Sequence, residues 1–126
     1  MTLVEGAGGL LVPLTSAMTF ADLAARLEIP LLVVVASRLG AINHALLTVR
    51  YARALGLRVL GYVVNFLTDG SDLAAQTNIS VLSELLGPPI GVMPYIGQLR
   101  LTASERQRAA EIIERALRVD DLLVEP

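Results

Sequence analysis

The chain of 126 residues has no cysteine, no tryptophan and no lysine, all ten of its basic side chains being arginine. Each absence removes some chemistry. Without cysteine there is no disulfide and no thiolate nucleophile or metal ligand. Without lysine the chain cannot supply the phosphate-binding lysine of a G-x-x-x-x-G-K-[ST] loop, and no such pattern occurs. His44 is the single histidine, which leaves a histidine metal cluster or a Ser-His-Asp triad without support. The net charge of −2 offers no basic stripe to displace counterions, so no nucleic-acid partner is expected. No apolar run approaches the roughly 18–20 residues that span a bilayer; the longest, Ile29 to Ala36, has strand length. No basic leader precedes an apolar stretch, so a cytoplasmic protein without membrane association is expected.

What the chain does have is apolar bulk: 54% hydrophobic residues against 17% charged. A length of 126 residues implies one domain, 1–126, able to bury about two-thirds of its unfolded surface. So few charges on so apolar a chain imply that some surface is covered by a partner, since large exposed apolar patches mark interfaces.

Strand and helix signals alternate along it. Thr2-Leu3-Val4 reads as a first strand, followed by a glycine- and proline-marked loop over 5–18. Thr19-Phe20-Ala21-Asp22 has the capping pattern of a helix that runs to Leu27 or Glu28 and meets Pro30. Leu31 to Val35 is a continuous apolar run ending in three β-branched valines, as for a strand covered on both faces. The loop Ser37–Gly40 leads to a helix over 41–55 that Gly56 ends, and Arg58–Val64 forms a third strand ending at Asn65. After a polar loop at 66–70, Ser71-Asp72 caps a helix that stops at Gly87-Pro88-Pro89; Ile90–Met93 is a fourth strand. Thr102-Ala103-Ser104-Glu105 opens a last helix to about Arg118, and 119–126 is unassigned.

This alternation predicts parallel strands with right-handed crossovers: an α/β three-layer sandwich. Ligands of such sheets bind beyond the carboxyl ends of the strands. Four loops are thereby nominated: Glu5–Gly9, Ala36–Asn43, Asn65–Gly70 and Pro94–Leu99.

Glu5 is the one acid of the first loop. Its carboxylate beside Gly6, Gly8 and Gly9 suits a Mg²⁺ that also touches nucleotide phosphates, or is simply a solvated acid at a turn. Gly40-Ala41-Ile42-Asn43 opens a helix directly after a buried strand, where free N–H groups and the dipole favour phosphate or carboxylate. The plainer alternative is an ordinary helix start with Asn43 as a local cap. Asn65 presents a donor and an acceptor, matching the Watson–Crick edge of adenine, or forms a turn. Met93-Pro94-Tyr95 is one wall of a base pocket or an aromatic turn.

Taken in order, these loops resemble the dethiobiotin synthetase family. The resemblance rests on Val4-Glu5-Gly6-Ala7-Gly8-Gly9 with Pro13-Leu14, Phe20-Ala21-Asp22-Leu23, Leu39-Gly40-Ala41-Ile42-Asn43-His44 with Leu47-Thr48, Gly61-Tyr62-Val63-Val64-Asn65 and Met93-Pro94-Tyr95. It runs from about residue 2 to 97 and covers the carboxyl-terminal half of the family. The Glu-Gly-Ala-Gly-Gly loop also occurs in relatives that make cobyrinic acid amides or carry phosphotransacetylase activity.

The resemblance implies a P-loop NTPase-like fold lacking the P-loop strand. It implies ATP- and Mg²⁺-dependent closure of the ureido ring of dethiobiotin from 7,8-diaminononanoate and CO₂. Glu5 would be the Mg²⁺ ligand, with Gly6, Ala7 and Gly8 near phosphate. Asn65, Pro94, Tyr95 and Ile96 would hold the nucleotide base. Leu39, Gly40, Ala41, Ile42 and Asn43 would hold the substrate carboxylate of the neighbouring subunit in a homodimer. No residue receives a catalytic role, because the family's phosphate-binding loop and lysines are absent and Arg38 alone does not replace them. The chain is therefore expected to be a truncated or split form, inactive alone and needing a P-loop partner. The alternative is a non-catalytic nucleotide-binding or interaction domain related to cobyrinic acid amide synthases or phosphotransacetylase regulatory domains. Without the P-loop strand, the Glu5 strand is expected to re-pair or to leave a slot for a second chain.

Overall fold

The computed structural model describes residues 2–69, 73–98 and 102–118, and among these the side chains of 73–76 are not described. Its core is a parallel sheet in the order β3-β4-β5, formed by β3 (Leu31–Ser37), β4 (Val59–Phe66) and β5 (Gly91–Met93). The connections are α2 (Ala41–Ala54) and α3 (Leu73–Leu86), and α4 (Ala103–Ala116) follows β5. This is the expected α/β architecture. Among the described residues no helix is long and apolar enough to cross a membrane.

The apolar, valine-rich runs pair as the sheet, and among the described residues the cover expected on both faces of β3 is found on one face only. The register pairs Val33 with Tyr62, Val35 with Val64 and Ser37 with Phe66, while Val64 pairs with Val92. Alternation sends these side chains to one face. There Val35, Tyr62 and Val64 pack with Ala41 and Ala45 of α2 and Leu82 of α3 in one buried cluster. On the other face of β3, Val34 is 65% exposed.

The two sheet edges differ. At β5, Leu117 forms an antiparallel bridge to Gly91, and the Arg118 N–H donates to the Ile90 carbonyl at 3.2 Å. Gly91 permits this approach, because a Cβ there would run into the Leu117 side chain and the Ala116 carbonyl. Beyond β3, no described strand pairs.

The expected strand over residues 2–4 is not formed. Residues 2–6 carry no regular structure, and Leu3 is 88% exposed. Three residues before a glycine-rich turn make too few bonds to offset their ordering entropy unless a neighbour supplies a ladder. Re-pairing of the Glu5 segment does not occur either. Instead the predicted loop contains a hairpin, β1 (Pro13–Thr15) with β2 (Met18–Thr19). It leads straight into α1 (Phe20–Leu27).

Helix ends follow local chemistry closely. Thr19 and Asp22 form a reciprocal capping box on α1, and Thr102 and Glu105 form another on α4. Helix α1 stops at Glu28, whose φ of 53° is left-handed and whose N–H bonds back to the carbonyls of Ala24 and Ala25. Several boundaries shift slightly: β3 runs on to Ser37, α2 ends at Ala54, β4 spans Val59–Phe66, β5 begins at Gly91 rather than Ile90, and α4 ends at Ala116. The expected cap at Ser71-Asp72 and the tail 119–126 lie outside the described residues.

Candidate functional site

Because β3, β4 and β5 are parallel, their carboxyl ends open at one end of the sheet. Their exit segments there are Arg38–Asn43, Leu67–Asp69 and Pro94–Gln98. Asn65 is the middle of a row, paired with Ala36 on one side and Met93 on the other. It lies inside β4 rather than at its end, because the ladder to β3 continues through Phe66. Alternation sets its side chain on the face opposite Tyr62 and Val64, where it is half-buried.

The β5 exit carries Pro94, Tyr95 and Ile96. Tyr95 is 48% exposed, and Ile96 lines a cavity of about 80 Å³ with Gln98, Glu105, Arg108, Ala109 and Ile112. Pockets that enclose a drug-sized ligand hold roughly 300–1,000 Å³. These residues thus make one wall with a small recess behind it, not an enclosed base pocket.

The β3 exit is built differently. The Ala41 N–H donates to the Arg38 carbonyl at 3.0 Å, closing a turn over Arg38–Ala41. Gly40 occupies the N-cap with φ 88°, a left-handed value that explains why glycine stands there. The His44 N–H then donates to the Gly40 carbonyl at 3.1 Å, starting the helical ladder. Among the described residues no side chain caps α2, and no acid lies in its first turn, in contrast to α1 and α4. The reading of Asn43 as a local cap is therefore overturned: its side chain makes no capping bond and is exposed. Leu39, 86% exposed, and Arg38 flank the same turn, whereas Ala41 is buried and Ile42 packs against the core cluster.

The Glu5 loop is shaped by its glycines. Gly8 and Gly9 have φ 92° and 116°, and the Val12 N–H closes a turn on the Gly9 carbonyl at 3.2 Å. A Cβ on Gly6 would lie 3.1 Å from the Phe20 ring, so the loop is seated on the start of α1. The Ala21 N–H donates to the Leu10 carbonyl at 3.0 Å and the Phe20 N–H to that of Val12 at 3.2 Å. Glu5 itself is exposed. Among the described residues no three His, Asp or Glu side chains converge as a metal cluster. A lone carboxylate beside glycines fits a Mg²⁺ carried by nucleotide phosphates and does not fit an ion held by protein ligands alone.

One buried polar contact was not foreseen. Asn78 of α3, 3% exposed, donates from Nδ2 to Ser37 Oγ at 3.3 Å and to the Arg38 carbonyl at 3.1 Å. Its signal in the sequence is positional: Asn78, Leu82 and Leu86 recur at helical spacing, so a polar residue sits on the apolar stripe.

A family model described as an AAA domain matches residues 1–103. The ATP-dependent dethiobiotin synthetase of Bacillus subtilis is 39% identical over 98 residues, 77% of this chain and 42% of that protein. Its namesake from Cellvibrio japonicus is 42% identical over 103 residues, 82% of this chain and 45% of the relative. The one from Aquifex aeolicus is 38% identical over 111 residues, 88% of this chain and 50% of the relative. The chain thus spans about half the length, or slightly less, of the curated relatives it matches.

Proposed function

The chain belongs to the AAA-domain family and is a relative of the dethiobiotin synthetases, and from that premise we propose that it supplies the nucleotide-base and substrate-carboxylate sides of a dethiobiotin synthetase site. The reaction would be the ATP- and Mg²⁺-dependent closure of the ureido ring of 7,8-diaminononanoate with CO₂, a step of biotin biosynthesis. The observation that carries this reading is the shared sheet end. Asn65 and the Pro94–Ile96 wall stand on neighbouring strands, and the uncapped, glycine-led start of α2 stands on the third. Asn65 would pair with adenine through its carboxamide, with Pro94, Tyr95 and Ile96 flanking the base. The Leu39–Asn43 turn would receive a carboxylate on its free N–H groups.

Glu5, with Gly6, Ala7 and Gly8, would hold Mg²⁺ on the nucleotide phosphates. Bound there, the ion supplies charge neutralisation. Glu5 contributes one ligand and the glycines permit close approach of phosphate. The lysine of a phosphate-binding loop would have to come from outside residues 1–126, because these contain none. Two surfaces fit partners. Leu47 and Tyr51 of α2 and its C-cap Leu55 are exposed at i, i+4 and i+8, which suits a second copy in a homodimer. The edge of β3, without a partner among the described residues, would suit a strand from a P-loop-bearing chain. A second reading, a non-catalytic nucleotide-binding or interaction domain, is favoured by one observation: Glu5 is exposed on a segment that no strand holds.

Calorimetric titration of Mg·ATP into the chain and into Glu5→Ala and Asn65→Ala separates these readings. The proposed reading expects weak binding that Asn65→Ala lowers roughly tenfold, as for a lost paired hydrogen bond, and that Glu5→Ala also weakens. Loss with Asn65→Ala but not with Glu5→Ala favours base binding without a working phosphate site. No heat from the wild-type chain overturns nucleotide binding by this chain.

A further inference from the structure

We propose that Asn78 of α3 is a positioning residue that sets the geometry of the turn opening α2. The proposal rests on the reading of the Leu39–Asn43 turn as a carboxylate site and adds the residue that holds it in shape. The Arg38 carbonyl accepts two hydrogen bonds, from the Ala41 N–H at 3.0 Å within the turn and from Asn78 Nδ2 at 3.1 Å across from α3. The same Nδ2 reaches Ser37 Oγ at 3.3 Å. One planar amide nitrogen thus fixes the last residue of β3 and the first carbonyl of the turn together. With that carbonyl plane fixed, Leu39 and Gly40 have little freedom left before the helix begins, and the free N–H groups of Ile42 and Asn43 are aimed.

The anchor is itself held rigidly. Leu82, one turn beyond Asn78, is fully buried in the cluster that includes Val35 of β3 and Ala41 and Ala45 of α2. Ser37 and Asn78 are both nearly inaccessible, at 4% and 3% exposed, so water does not readily replace the bonds between them. Only a donor serves at this position. An aspartate has the same shape, but its carboxylate would oppose the Arg38 carbonyl instead of donating to it.

Amide hydrogen exchange and a carboxylate titration on the full chain test this. The reporters are the Ala41 and His44 amides, bonded to the Arg38 and Gly40 carbonyls, against the Val64 amide in the middle of the sheet. Asn78→Ala and Asn78→Asp are expected to speed exchange at Ala41 at least tenfold relative to Val64. Ser37→Ala, which keeps the bond to Arg38, is expected to have a smaller effect. The probe ligand is nonanoate, followed through the Ile42 and Asn43 amide shifts. Both Asn78 variants are expected to bind it at least fivefold more weakly than the wild type. Exchange that rises equally at Ala41 and Val64, or not at Ala41, overturns the proposal and leaves Asn78 a core residue only. If the wild-type amides do not respond to nonanoate, the carboxylate reading of the turn fails, and the exchange ratio still decides what Asn78 does.

Discussion

Substitution of Gly91 by alanine tests how the closed edge of the sheet is held. Gly91 does not need a left-handed backbone, so a methyl group adds no φ strain there. Its difficulty is space. A Cβ would lie 3.0 Å from Leu117 Cα and closer still to the Leu117 side chain and the Ala116 carbonyl. Leu117 Cδ2 can swing aside, but the Ala116 and Leu117 backbone moves only with the end of α4. Overpacking of this kind costs about 1–3 kcal/mol. The retreat also weakens the Arg118 N–H bond to the Ile90 carbonyl, worth about 0.5–1.5 kcal/mol. The total, about 1.5–4.5 kcal/mol, corresponds to a fall of roughly 6–18 °C in Tm for a chain of this size. Urea unfolding followed by circular dichroism reads it directly. Gly87→Ala is the control: φ is 87° with nothing within 4 Å of the new methyl, so only the left-handed penalty of about 1–2 kcal/mol applies. If Gly91→Ala costs no more than Gly87→Ala, the close packing of α4 on β5 is refuted.

Thr102→Ala removes the reciprocal cap of α4 and is expected to cost about 1 kcal/mol, measured by urea unfolding, with a loss of helical ellipticity. Asp22 carries a pH signature. Hydrogen bonds from the Thr19 hydroxyl and then the Thr19 N–H, aided by the charge of Arg26, hold its carboxyl below the ordinary value of 3.8. A depressed pKa in the folded state stabilises above the unfolded value. That contribution is lost as pH falls below 3.8 and through the folded value, so Asp22→Asn is expected to flatten the acid limb of a stability–pH profile without altering its plateau slope.

How much was legible depended on the range of the interaction that decides each feature. The capping boxes at Thr19 and Thr102 were readable because donor and acceptor lie three residues apart. The runs Leu31–Val35 and Val59–Val64 were readable because a buried parallel strand needs no partner-specific pattern. The strand expected at Thr2–Val4 failed because pairing is non-local, and a strand signal does not state what it pairs with. The hairpin at Pro13–Thr19 went unseen because its turn, Ser16-Ala17, contains no glycine or asparagine and Pro13 argued for a loop. At the candidate site, the placement of Asn65 and the α2 start followed from strand polarity alone. Asn78 did not, since a polar residue in an amphipathic helix ordinarily faces water, and only its partners across the fold give it a role.

The two edges of the sheet differ in how they are guarded, which bears on the partner strand proposed above. The β5 edge is closed by Leu117 and by Arg118, whose side chain also reaches the Pro89 carbonyl at 3.3 Å. The β3 edge has no described partner, and its seven residues include no charge and no proline. Exposed edges of soluble proteins are ordinarily guarded by such features, because unpaired N–H and C=O groups recruit other strands. A strand added there in parallel would end at the same side of the sheet as Ser37 and Asn65. Its exit loop would then stand beside the Arg38–Asn43 turn, in the row where ligands of parallel sheets bind. On the reading proposed above, a strand carrying a phosphate-binding loop would pair with this open edge of β3.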